Sequence, residues 1–223
     1  MNSKAYKRQT DLVTPSQLTF GITILGVGGI GSWVAFYLAK MGAMSLTVVD
    51  FDKVEEHNIP SQLYAPEDIG TSKVDALQRI INIFSGRQIT PIPFSGTAQE
   101  YAASGLPFGK VVIVAVDSLD ERKKIWSIIK PLLGNIDLLV DCRMNAEQLR
   151  ILCVSPYNAD SIIKYQQRMD SNTKASIAPC TGRSIVYNTG IIGAMVASRI
   201  KRYAKGEAIE FEYNFAIDTL ERV

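Results

Sequence analysis

The stretch "ILGVGGIGSW", Ile24–Trp33, decides how the rest of the chain is read. Gly26, Gly28 and Gly31 stand in the spacing G-x-G-x-x-G, with Gly29 between them. The first two permit a tight turn and let backbone approach a phosphate. The third lets a helix pack closely on a strand, and the helix N-terminus presents the positive end of its dipole. Such a motif carries weight only where a strand enters it and a helix leaves it. Phe20–Leu25 is a short apolar run rich in β-formers, and Ile30–Met41 has helical periodicity. Ser45–Val49 reads as a second strand ending at Asp50, a carboxylate placed to accept hydrogen bonds from ribose hydroxyls. A dinucleotide and a nucleoside triphosphate both offer phosphates and a ribose, so the turn alone does not choose between NAD and ATP.

Working outward, Ser72–Phe84 puts Val74, Leu77, Ile80, Ile81 and Phe84 on one helical face. Gln88–Phe94 reads as a strand whose two prolines suit a sheet edge. Lys110–Val116 is a continuous apolar run, the pattern of a central parallel strand covered on both faces. Leu119–Leu133 is expected to be helical, Asp137–Asp141 to begin another strand and Leu149–Val154 to form the next. Ser161–Ser176 is polar and loop-like, Gly193–Tyr203 a late helix and Glu210–Phe215 a closing strand. The expectation is an α/β, Rossmann-like domain over residues 1–223: a mostly parallel sheet, helices on both faces, and a less regular C-terminal third. Residues 1–19 are expected to form an N-terminal arm, and 155–180 a flexible loop.

Composition removes several function classes. At 47% hydrophobic and 21% charged, the chain reads as an ordinary soluble globular protein. A net charge of +2, with scattered Lys and Arg, gives no electrostatic case for nucleic acid. The N-terminus lacks the apolar core of a signal peptide and no 18-residue apolar run occurs, so no membrane role and a cytoplasmic location are expected. Cys142, Cys153 and Cys180 form no CxxC pair, which leaves no four-thiolate structural zinc site. With His57 the only histidine, chemistry built on a histidine base is not expected.

The choice of nucleotide turns on "VDFDKVEEHNIPSQLYAPEDIGTSK", Val49–Lys73. A dehydrogenase has no evident use for Asp52, Asn58 and Lys73 beyond a DIG turn. The concentrated negative charge of a triphosphate does call for ammonium and amide donors. Here the chain resembles the ubiquitin-activating-like enzymes, including the ThiF, MoeB and HesA adenylyltransferases. Their pattern reads roughly GxGGxG, DxDxVxxxNLxRQ, DIGxxK, and this chain has GVGGIG, DFDKVEEHNIPSQ and DIGTSK in that order. "YKRQ", Tyr6–Gln9, resembles the family's RYxRQ opening, and "VDSLDER", Val116–Arg122, resembles its D-N-x-x-x-R. The likeness covers residues 6 to about 125 and, more loosely, the TGIIGAMVASRIKRY helix.

That resemblance implies a ThiF-type adenylation domain that uses ATP and Mg2+. Asp50 would bind the ribose, with Asp52 and Gln62 in the nucleotide set. Asn58 and Lys73 would contact phosphates, and Asp117 would coordinate the metal. Arg8 matches an arginine that reaches into the partner subunit's site, which implies a homodimer. Blander readings stand beside these: Lys73 as a solvated residue at a helix start, Asp117 as a helix cap, Arg8 as an exposed terminal residue. The family's second arginine is replaced by Ser61, so either another cation (Arg79, Arg122 or Arg143) substitutes or adenylation is weak.

The implied reaction is attack of a C-terminal glycine carboxylate, from a ubiquitin-like or sulfur-carrier protein, on the α-phosphorus of ATP. Cys180, in "IAPCTGRS" with Arg183 nearby, is the thiol best placed to take over the acyl group. Asp141, Arg143 and Glu147 read either as an ion-pair network or as a grip on the incoming tail. A non-catalytic family member and an NAD-dependent oxidoreductase are the competing functions.

Overall fold

The computed structural model describes residues 5–85, 91–170 and 184–222. In chain order the elements are β1 (Ile22–Leu25), α1 (Gly29–Met41), β2 (Leu46–Asp50), α2 (Lys73–Ser85), β3 (Ile92–Ser95), α3 (Ala98–Ala103), β4 (Val111–Val114) and α4 (Leu119–Ile129). They continue with β5 (Leu138–Asn145), β6 (Gln148–Val154), α5 (Ala159–Asp170), α6 (Val186–Ala204), β7 (Glu212–Ala216) and β8 (Glu221–Arg222). The eight strands lie in one sheet in the order β3-β2-β1-β4-β5-β6-β7-β8. Pairing is parallel from β3 through β5 and antiparallel from β5 through β8.

This is a Rossmann-like α/β fold, and residue chemistry explains its layers. All four residues of β1 and of β4 are buried. Alternate residues of β4 face opposite cores: Val111 and Ile113 pack with α1, α2 and α6, whereas Val112 and Val114 pack with α4 and α5. β3, with Pro93, lies at the sheet edge, where a missing backbone donor is harmless. The chain leaves β1 toward β2 and β3, then returns to place β4 on the other side of β1. That reversal opens a crevice beyond the carboxyl ends of β1 and β4, and the registry of Leu25 with both Val49 and Val114 keeps the three strand ends level.

In the C-terminal third, one stretch expected as loop is helical. Where a loop is expected over 155–180, residues 159–170 form α5; residues 171–180 lie outside the described set. The buried face of α5 is Ser161, Tyr165 and Met169, one residue per turn, which is a thin apolar signal among polar neighbours. The short α3, with the Thr97–Glu100 capping box at its start, and β8 are also elements beyond the expected set. At the other end of the chain, one-turn helices at Lys7–Gln9 and Pro15–Gln17 pack against the C-terminal end of α1. Gln9 Nε2 donates to the Met41 carbonyl at 2.7 Å, and Pro15 and Tyr6 crowd Gly42, whose φ of +99° closes the helix. Among the described residues no helix is long and apolar enough to cross a membrane.

Candidate functional site

A cleft of about 370 Å³ opens at the carboxyl ends of β1, β2 and β4. Its floor is the glycine turn. Gly26 sits at φ +86°, and a Cβ there would lie 3.0 Å from the Ala115 carbonyl oxygen. At Gly31 a Cβ would fall 1.9 Å from the Gly26 oxygen, so no side chain fits between turn and helix. Gly28 caps α1 without a side chain, which leaves the first-turn N–H groups directed into the cleft. Gly29 faces Thr189 of α6, with only 3.3 Å available to a Cβ.

β2 delivers Asp50 to one wall. Its Oδ2 accepts the Val27 N–H at 2.7 Å and its Oδ1 the Asp52 N–H at 2.8 Å. A carboxylate has about four lone-pair positions, so two remain for a ligand. Burial raises the Asp50 pKa above the usual carboxylate value, against the lowering pull of Lys73. Lys73 is 6% exposed and pairs with Asp52 at 2.7 Å, which excludes its reading as a solvated residue at a helix start. The Lys73 N–H also donates to the Asp52 carbonyl at 2.9 Å, so the long segment between them is clasped at its base. Asn58 is buried and its Oδ1 accepts the Glu55 N–H at 2.9 Å, which leaves Nδ2 to donate. Gln62 faces Gly28, and its Oε1 is buried with no hydrogen-bond partner among the described residues.

Asp117 lines the cleft just past β4, exposed and with no partner among the described residues. The cap of α4 is Ser118, whose hydroxyl accepts the Glu121 N–H at 3.3 Å, so the reading of Asp117 as a helix cap is replaced. Arg8 is elsewhere. It is exposed on the arm at the far end of α1, and a 13-residue helix is about 20 Å long. Cys180 lies outside the described residues.

None of the three arginines considered as substitutes for the missing one reaches the cleft lining. Arg79 pairs with Asp68 at 2.6 Å, while Arg122 and Arg143 are buried against Asp141. Ser61 itself is buried, and its carbonyl accepts both the Trp33 indole N–H at 3.2 Å and the Thr189 hydroxyl at 2.8 Å. It joins α1 to α6 and offers no charge. Glu147 stands apart from the Asp141 network, accepting the Tyr187 hydroxyl instead.

Sequence reasoning missed Lys124, the cleft's second lysine, paired with Glu121 at 3.4 Å, and Met144 from β5. The spacing Asp117, Asp120/Glu121, Lys124 repeats at helical intervals and was the available signal. Among the described residues of the lining, six carboxylates (Asp50, Asp52, Glu55, Asp117, Asp120, Glu121) face two lysines, so a polyphosphate needs cations beyond these. Among the described residues no three His, Cys, Asp or Glu side chains form a metal cage. A single unpartnered carboxylate suits magnesium, which keeps waters and phosphate oxygens and takes only one or two protein ligands.

The sequence profile of the ThiF family matches residues 16–219. The chain is 31% identical over 116 residues to ubiquitin-like modifier-activating enzyme 5 of Drosophila grimshawi, covering 47% of this chain and 29% of that protein. To the Gallus gallus protein of the same name it is 40% identical over 63 residues, 28% of this chain and 16% of that one. The matched stretch spans less than a third of these relatives. Among solved structures, E. coli MccB with ATP superposes with a TM-score of 0.76 at 17% identity, over all of this chain and 71% of that one. PaaA superposes with a TM-score of 0.75 at 18% identity, over 99% and 81%. At those identities the likeness is one of fold.

Proposed function

The chain belongs to the ThiF family, and from that premise we propose that it adenylates the C-terminal glycine carboxylate of a ubiquitin-like or sulfur-carrier protein. The observation that carries the reading is convergence: the glycine turn, Asp50, the Asp52–Lys73 pair and the unpartnered Asp117 line one cleft at a strand-order reversal. A carboxylate oxygen attacks the α-phosphorus of ATP, the bond to the β-phosphate breaks, and its electron pair leaves with pyrophosphate. The attacking carboxylate is already ionised at pH 7, so no general base is required.

Each residue then has a defined task. The turn and the α1 N-terminus receive phosphates, and Asp50 accepts the ribose hydroxyls with its remaining lone pairs. The Asn58 amide, Gln62 and the Lys73 ammonium, aimed by Asp52, donate to phosphate oxygens. Asp117 holds magnesium, which supplies positive charge to the polyphosphate when bound. With Ser61 uncharged and the lining acidic among the described residues, the reading takes a further cation from another chain. Arg8, anchored beyond reach of its own cleft, is that cation in a homodimer. Cys180 receives the acyl group in a second step, displacing AMP as a thioester forms.

Calorimetry with Mg-ATP and with NAD tests the choice of nucleotide, and tighter binding of NAD would overturn the adenylation reading. ATP–pyrophosphate exchange, with a small Gly-Gly-terminated carrier protein as probe, tests the chemistry. Mg-ATP binding without exchange would favour a non-catalytic family member, the reading that Ser61 supports. Arg8→Ala and Asp117→Ala proteins, each inactive, should regain activity as mixed dimers. A thiol-sensitive adduct that persists in Cys180→Ala would remove Cys180 from the second step.

A further inference from the structure

Beneath the cleft lies a buried cluster that this chemistry does not use. Asp141 is fully buried on β5 and pairs in register with Val114 of β4. Its Oδ2 accepts Arg143 Nε at 3.0 Å and Nη2 at 2.7 Å, and the Tyr165 hydroxyl of α5 at 2.9 Å. Its Oδ1 accepts Arg122 Nη1. The other arm of the Arg122 guanidinium donates to the Cys142 carbonyl at 2.9 Å and to the carbonyl of Val116. Val116 immediately precedes Asp117, two residues after β4 ends. The Arg122 main-chain N–H also donates to the Ser118 carbonyl at 3.1 Å. One residue, 3% exposed, thus grips the turn on both sides of Asp117 and ties it to β5.

We propose that Arg122 is a positioning residue for Asp117: it fixes the Val116 peptide against buried Asp141 and so aims a carboxylate that nothing else holds. The inference rests on the reading of Asp117 as the ligand of the metal–nucleotide complex. A planar fork is what the geometry uses, since three acceptors, two on β5 and one in the turn after β4, are spanned at once. A lysine ammonium on its thinner stem keeps the charge toward Asp141 but not the span.

The test is calorimetry of the full chain with Mg-ATP and, separately, with ATP in EDTA. Arg122→Lys should weaken Mg-ATP binding roughly tenfold and leave metal-free ATP binding unchanged. Arg122→Gln, which loses both the charge and the reach to these acceptors, should weaken Mg-ATP binding at least as much, again without changing metal-free ATP binding. In a double-mutant cycle, Asp117→Ala with Arg122→Lys should bind no more weakly than Asp117→Ala alone, because the aim of an absent carboxylate no longer matters. Losses that multiply, or Arg122→Lys binding like the parent, would overturn the assignment while Asp117→Ala still behaves as a ligand variant. If neither Arg122 variant folds, the residue serves stability and the assignment also falls. If the parent protein binds no Mg-ATP, the adenylation reading itself fails, a result distinct from all of these.

Discussion

Two clusters of ionised side chains flank the end of β4, and they are built to opposite rules. At the cleft, the Asp52 side chain is 48% exposed, Asp50 has lone pairs to spare, and Asp117 stands without a partner among the described residues. Below it, Asp141 is 0% exposed, both oxygens are engaged, and two guanidiniums and a tyrosine hydroxyl enclose it. A buried charge persists only when paired and fully hydrogen-bonded, so the lower cluster is saturated. A binding site needs unsatisfied groups, and these are tolerated at the cleft because water reaches them. Both clusters are built on carboxylates, yet one holds the sheet together and the other is left open for a ligand.

The largest expected effect belongs to the lower cluster. Asp141→Ala leaves two guanidiniums buried beside an empty position, and breaking such a pair costs about 3–5 kcal/mol. Denaturant unfolding should show that loss. A change below about 1 kcal/mol would erase the distinction between the clusters.

Lys73→Ala should separate binding from stability. Its partner Asp52 is half exposed and can be solvated when left alone, so unfolding free energy should change by about 1 kcal/mol or less after allowing for solvent screening. Mg-ATP affinity should fall by about 1.5–3 kcal/mol, the worth of a charge-assisted hydrogen bond. Calorimetry beside a melting curve reads both. A large stability loss with little change in affinity would move Lys73 into the scaffold.

These two clusters also differ in how legible they were in the chain. The cleft was legible because its residues obey short-range rules: glycines where a side chain collides at 1.9 Å, an acid at a strand end, a lysine opening a helix. The apolar runs of β1 and β4 and the prolines near β3 located the parallel half in the same way. The lower cluster depends on the long-range pairing of β4 with β5 and on α5, whose thin buried face reads as loop. Arg122 shows the limit most clearly. Its spacing from Asp117 was visible as a motif, but that its guanidinium turns inward to Val116 and Asp141, away from phosphate, follows only from the sheet order.

Asp117→Asn should be nearly silent in stability, within about 0.5 kcal/mol, because an exposed group with no partner among the described residues supports little in the fold. Mg-ATP binding should nonetheless weaken, and magnesium titration should no longer shift the ATP isotherm. Retention of the full magnesium effect would transfer the metal to another of the cleft's acids.

The smallest expected effect is none at all, and it returns to the lower cluster. Cys142 adjoins Asp141 on β5 and is fully buried. Burial pushes its thiol pKa far up, and the nearby Arg122 guanidinium only partly offsets this. Cys153, on the neighbouring β6, is pushed up to about 12 by burial despite Arg199. With such a value the thiolate fraction at pH 8 is roughly one in ten thousand, and burial also blocks access by a reagent. Burial therefore outweighs a neighbouring cation at both thiols, as it does at Asp50 in the cleft. In native protein at pH 8, an aromatic disulfide reagent should modify neither thiol over the time in which it reacts fully with guanidinium-unfolded chain, and mass spectrometry of the digested protein identifies each site. Prompt labelling of Cys142 or Cys153 would mean that β5 and β6 open locally at low cost, and the saturated cluster between β4, β5 and α5 would lose its standing as the rigid half of the comparison.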